Sequence, residues 1–244
     1  MEILKNKFEE IKKAKNPEVI NDFLMKLSEE PSFEYLNLIQ YFIDNLETQI
    51  FQKIKLNIIF LLGEIGKSSE LDFKYLKFLL KTYYKSDRWV RNEIIQAFGK
   101  ILKNTKITDD IFKLIGYAIN DDYSPIRVNA LKTILDLEDL PLFIQRNLYY
   151  VINLHDPELE LLYVRIFERF LPDFTQLFDS LNNSDNYKIL KIRAFRALLF
   201  IYFKSPINLE TFRQKISKSK WEDDYKENFL KEIDMYEKLL LKRL

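Results

Sequence analysis

The sequence predicts an all-α protein, a right-handed α-solenoid of about seven helical hairpins, on three observations: a helix-forming composition, an internal repeat and regular helix-start turns. Four Gly and seven Pro in 244 residues are too few for the turns of a β-sandwich or barrel, and Leu, Ile, Lys, Glu and Phe dominate throughout. Five segments superpose without gaps: Ile54–Ile65, Val90–Ile101, Ile126–Leu137, Leu159–Phe170 and Leu190–Ile201, their starts 36, 36, 33 and 31 residues apart. With the first residue counted as position zero, positions zero, four, five, eight and eleven are apolar or aromatic in every copy. Those offsets fall on one broad stripe of an α-helix, the face that packs on neighbours.

Each element follows in order. Met1–Lys15 and Pro17–Ser28, broken at Asn16-Pro17, form a first hairpin. The repeated helices then alternate with a second set of apolar-periodic segments: Ser32–Leu46, Ser69–Tyr84, Thr108–Asn120, Leu140–Asn153 and Pro172–Leu181. The joining turns carry Ser86-Asp87, Asp121-Asp122-Tyr123-Ser124-Pro125, His155-Asp156-Pro157 and Ser184-Asp185. There Asp or Ser accepts orphan backbone N–H groups and Pro suits the first helical turn. Leu209–Ser217 and Trp221–Leu244 close the series, with Trp221 read as the cap. The chain is thus expected to be one repeat domain, with a capping pair over 1–30, core repeats over 31–204 and a second capping pair over 205–244. Stacked hairpins bury the apolar faces that no single unit can, giving a particle roughly 60–70 Å long with a concave surface lined by the second helices.

Asp87, Val90, Arg91, Ala97, Phe98, Gly99 and Ile101 follow the pattern Asp-x-x-Val-Arg continuing into Ala-Phe-Gly-x-Ile, and Asp121 to Arg127 repeats its opening. In this the chain resembles HEAT-repeat proteins, most closely in the third and fourth pairs. The short period is nearer the compact HEAT-like repeats of bilin-lyase-related proteins. The Trp-x₂-Leu-Gly signature of tetratricopeptide repeats and the Thr-Pro-Leu-His of ankyrins are absent. The resemblance implies that Arg91, at position one, pairs with Asp87 or with Asp121 and Asp122 ahead of the next repeat.

Composition narrows the function. Zero Cys and one His, His155 in a turn, remove disulfide scaffolds, Cys/His zinc sites and cysteine nucleophiles and leave little material for histidine-based catalysis. No phosphate loop, nucleophile elbow or metal motif occurs, so neither enzymatic activity nor a cofactor is expected. Thirty-eight basic residues against 37 acidic ones give a net charge of +1, and any attraction to nucleic acid must be local. The N-terminal stretch lacks the apolar core of a secretory signal and no segment is apolar enough to span a bilayer, so a cytoplasmic location without membrane insertion is expected. Gly63 and Gly99 read as close-packing positions and Gly66 as the cap of a helix end. Trp89, just before position zero, reads as packed under its turn.

Positions three, six and ten lie opposite the apolar stripe and are expected to face the concave side. They read Asn57, Phe60, Glu64; Glu93, Gln96, Lys100; Asn129, Lys132, Asp136; Leu162, Arg165, Arg169; Arg193, Arg196, Phe200. The column turns basic toward the C-terminus, where Tyr187 to Lys204 carries five cations and no acid. Candidate partner-binding residues are therefore Gln96, Lys100, Asn129, Lys132, Arg165, Arg169, Arg193 and Arg196, with apolar support from Leu162 and Phe200. The expected function is a non-enzymatic scaffold holding a protein or peptide partner, acidic in character. Two alternatives stand beside it: a nucleic-acid-binding protein resembling HEAT-like alkylpurine DNA glycosylases, marked by a Trp and an Asp together on the concave face, and a partner-specific inhibitor such as an immunity protein.

Overall fold

The computed structural model describes residues 2–106, 108–151, 157–173, 187–188, 190–203 and 206–242. Among them the protein is all-α, with no strand. It divides into two compact units, Met1–Leu137 and Glu138–Leu244.

The first unit holds α1 (Glu2–Ala14), α2 (Pro17–Glu29), a 3₁₀ turn (Phe33–Tyr35), α3 (Leu36–Asn45), α4 (Thr48–Gly66), α5 (Phe73–Tyr83), α6 (Arg88–Ile101), α7 (Asp109–Ala118) and α8 (Ser124–Leu135). The starts of α2 and α6 show the expected side-chain caps; that of α8 does not, its N-cap Tyr123 making no side-chain capping bond, although Pro125 stands in its first turn. Asn16 Oδ1 accepts the Glu18 N–H at 2.9 Å with Pro17 in the first turn, and Asp87 Oδ1 accepts the Trp89 and Val90 N–H groups at 2.9 and 3.1 Å. Each donor would otherwise be an orphan of the first turn. The even-numbered helices pack in succession, α2 on α4, α4 on α6 and α6 on α8, while α3, α5 and α7 pack each on the following even helix.

The second unit holds α9 (Leu142–Val151), α10 (Pro157–Phe170), α11 (Ile192–Tyr202), α12 (Pro206–Ser217) and α13 (Asp223–Leu241). Here α13 packs on both α12 and α11, and α9 touches α11. Trp221 is buried, stacked on Tyr187 at 5.2 Å and edge-on to Tyr225 and Phe229. His155, Asp156, Ser184 and Asp185, and all of Pro172–Leu181 beyond residue 173, lie outside the described residues.

The repeat stripe is the core. Of the five aligned positions in five copies, all are buried except Val164, Phe170 and Ile201, which are half-buried. Gly63 and Gly99 permit close approach as expected: a Cβ on Gly63 would lie 3.0 Å from the Ala97 Cα, and one on Gly99 2.9 Å from the Thr133 hydroxyl. Gly66 corrects the sequence expectation. It is the last residue of α4, no glycine has a positive φ, and Lys67 caps the helix in right-handed conformation. A Cβ on Gly66 would fall 2.5 Å from Ile101 Cγ1, so its role is contact with α6 rather than a left-handed cap.

Candidate functional site

In the first unit the positions opposite the apolar stripe form a half-exposed polar face whose side chains are tied from helix to helix. Asn57 donates to Asn21 Oδ1 at 2.8 Å, joining α4 to α2, and Asn129 donates to Asn92 Oδ1 at 2.9 Å, joining α8 to α6. Lys100 on α6 pairs with Glu64 on α4 at 2.7 Å and lies 4.7 Å from the centre of the Phe60 ring. Glu93 sits beside this pair. Burial pushes its carboxyl above the usual range, Lys100 opposes that, and Glu64 adds to it; the Glu93 Oε1 is buried and accepts no hydrogen bond from any described residue. The structure therefore brings Phe60, Glu64, Glu93 and Lys100 together. Gln96 is half-exposed and Lys132 exposed on the same helices.

The second unit treats its expected residues differently. Arg165 and Arg169 are exposed on α10, Arg169 lying 5.0 Å over the Phe170 ring, and Arg193 lies on α11. Arg196 is not an open cation: its Nε and Nη2 donate to both oxygens of the nearly buried Glu232 on α13, at 2.5 and 2.6 Å. Lys188 likewise pairs with Glu222 at 2.6 Å. The acids that balance this basic run come from the last hairpin, 34 and 36 residues further along the chain. Leu162 is buried, which removes it from any binding face, whereas Phe200 is 44% exposed with its edge against Tyr236.

Of the two pairings that the resemblance implies for Arg91, the structure shows the one with Asp121 and Asp122. Arg91 reaches Asp121 at 3.0 Å and Asp122 at 3.3 Å. Although burial opposes it, the Asp121 hydrogen bond raises the Arg91 pKa. Asp121 also accepts from the Tyr83 hydroxyl at 3.4 Å and from the Tyr123 N–H at 3.0 Å, and Arg127 donates to the carbonyls of Asp121 and Asp122.

Beside this pairing lies a feature that sequence reasoning missed. Trp89 is not packed under its turn but 58% exposed, its ring edge-on to Tyr123 at 5.6 Å. The Arg88 guanidinium lies 5.2 Å from the Trp89 ring centre and 5.1 Å from that of Tyr123. These residues with Asp87, Arg91 and Asp122 line a cavity of about 400 Å³. A register signal for it existed: the equivalent residue before position zero is Lys53 in the preceding copy and Pro125 in the next, so the fold has no need of an aromatic there. Trp89 does neighbour two aspartates. Both are committed, Asp87 to the α6 N-terminus and Asp122 to Arg91, and neither belongs to the column opposite the stripe.

Among the described residues no three His, Cys, Asp or Glu side chains gather to hold a metal ion, and no helix is long and apolar enough to cross a membrane. Scans against family models, curated proteins and solved structures return no match to the chain.

Proposed function

We propose that the chain is a HEAT-like right-handed solenoid that serves in the cytoplasm as a non-enzymatic scaffold, holding a protein or peptide partner against the face opposite its repeat stripe. The observation that carries this reading is the fixing of that face in the first unit. Asn21 to Asn57, Glu64 to Lys100 and Asn92 to Asn129 link α2, α4, α6 and α8 side chain to side chain. Side chains already held in place lose little rotamer freedom when a partner docks, so each contact keeps more of its gross energy. Gln96 and Lys132 supply the open polar contacts between the fixed ones, and the second unit, by itself, carries exposed Arg165 and Arg169 of a charge that suits an acidic partner. No cofactor takes part.

The test is affinity capture from the native host with the wild-type chain and a Gln96→Ala/Lys132→Glu/Arg165→Glu variant, circular dichroism verifying that both fold alike. A co-purifying protein lost with the variant supports the reading. An undiminished capture overturns it, and a captured nucleic acid whose affinity collapses with salt replaces it with the nucleic-acid alternative.

A further inference from the structure

We infer that the turn edge of the first unit, where α5 runs into α6 and α7 into α8, is a second docking surface, and that its occupant is a peptide segment bearing a carboxylate next to a large apolar side chain. The inference stands apart from the groove proposed above, because none of its residues belongs to the column opposite the stripe.

The apolar part comes from exposed rings. Tyr84, Trp89 and Tyr117 are 62%, 58% and 56% exposed, and Tyr123 is half-buried against Trp89. Tyr84 and Tyr117 are near enough for each to bear on the other's ionisation, since after burial Tyr117 is the next cause raising the Tyr84 pKa. The preceding turn, Leu46-Glu47-Thr48, carries no aromatic, so the concentration is local to two adjacent turns. Exposed Trp, Tyr and Arg together are the residue types that dominate the energetics of protein interfaces.

The charge argument selects the occupant. The cavity is lined by two acids and two guanidinium groups. Asp87 spends Oδ1 on two backbone N–H groups, and Asp122 leans on Arg91, which also holds Asp121. Arg88 is the exception: exposed, its guanidinium 5.2 and 5.1 Å from the centres of two rings, and without a carboxylate at ion-pair distance among the described residues. Two ring contacts hold the guanidinium at the cavity while its N–H fork meets no acid among the described residues, and such a fork can receive a carboxylate through two parallel hydrogen bonds. The Trp89 and Tyr123 rings then offer their remaining faces to the neighbouring apolar side chain, and the cavity volume suits a side chain or two. The nearly fully exposed Asp122 disfavours a phosphate chain, whose charge is higher and repeated.

The two tryptophans make the test direct, since Trp89 is exposed and Trp221 buried. Acrylamide quenching of the full chain is measured with a capped Glu-Leu-Glu-Phe-Glu-Leu peptide, its Lys-for-Glu counterpart and a short single-stranded oligonucleotide. A Trp89→Phe variant identifies the responding ring. The acidic peptide is expected to protect Trp89 at least about tenfold more strongly than the lysine peptide. Arg88→Ala is expected to weaken it about tenfold, Arg88→Lys to weaken it less, and Lys132→Glu to leave it unchanged. Preference for the lysine peptide or the oligonucleotide, absence of protection by the acidic peptide, or indifference to Arg88→Ala overturns the inference. Arg88 is exposed, so its variants retain the fold, which circular dichroism verifies.

Discussion

The two units answer one structural problem, the orphan carbonyls at the C-terminal end of a second helix, with different side chains. In the first unit Asn104, just past α6, donates to the Lys67 carbonyl at 2.6 Å and more weakly to that of Gly66, at the end of α4. In the second unit tyrosines do it: Tyr202 donates to the Leu171 carbonyl just past α10, and Tyr236 to the Phe203 carbonyl just past α11. The donors lie 37, 31 and 33 residues beyond their acceptors, so each tie spans about one repeat. All four glycines of the chain belong to the first unit. Where Gly63 and Gly66 let α4 approach α6, a short amide is long enough. In the glycine-free unit, packed through Phe195, Phe212, Phe229 and Tyr225, a phenol supplies the longer reach. Backbone satisfaction is thus conserved in role while its chemistry follows the size of the packing residues.

The sharpest way to break this comparison is to remove the close approach. Gly66→Ala sets a Cβ 2.5 Å from Ile101, itself fully buried and unable to swing aside. Overpacking is expected to cost about 2 kcal/mol after the better helix propensity of Ala is counted. Urea unfolding reads this loss. In a cycle with Asn104→Ala the two losses should fall short of additivity, because a displaced α6 already carries Asn104 away from Lys67.

Tyr236→Phe comes next, at about 1.5 kcal/mol, for it deletes a buried donor bonded at 2.6 Å. Asn104→Ala is expected to cost under about 1 kcal/mol, since Asn104 is exposed and water replaces part of the bond. Amide hydrogen exchange separates the two: faster exchange in α11 and α13 for the tyrosine variant, in α4 and α6 for the asparagine variant. Exchange spread evenly over both units would erase the distinction between them.

How far the sequence spoke for itself follows the same division. Helix positions and the buried stripe were legible because each depends on spacing within a repeat or between adjacent ones, while the pairing of Arg91 came from the resemblance alone, which left Asp87 beside Asp121 and Asp122 as its partner. The neutralisation of Arg196 by Glu232 was not, because α13 departs from the repeat pattern and its register against α11 cannot be counted from aligned positions. Leu162 was misplaced for a related reason: a position defined as open in the well-matched copies is buried in the copy at Leu159–Phe170, whose stripe leaves Val164 and Phe170 half-exposed. Trp89 was misread because an indole next to the stripe resembles core by composition, and only the Lys and Pro at its equivalent positions argue otherwise.

The smallest effect concerns the polar face of the first unit. Glu93 is a carboxylate held above its usual pKa by burial, with Glu64 adding and Lys100 subtracting. A folded-state pKa raised above the unfolded one means that the folded chain binds the proton more tightly. Its contribution is therefore favourable below the ordinary carboxylate range and is lost as pH rises through the raised value. At neutral pH the ionised group is a net cost, with Oε1 buried and unbonded. Glu93→Gln keeps the shape and removes the charge, so it is expected to stabilise the chain at pH 7 by up to about 1 kcal/mol. The gain should shrink toward zero as pH falls below the ordinary glutamate range, where the wild-type side chain is protonated in both states. The second unit provides the contrast, since its nearly buried Glu232 is held by both arms of Arg196. Glu232→Gln should therefore lose stability at pH 7 where Glu93→Gln gains it. Thermal unfolding of both variants at pH 7, and of Glu93→Gln down to acid pH, distinguishes the cases, and changes of the same sign at pH 7 would mean that the carboxylates of both units are equally well partnered.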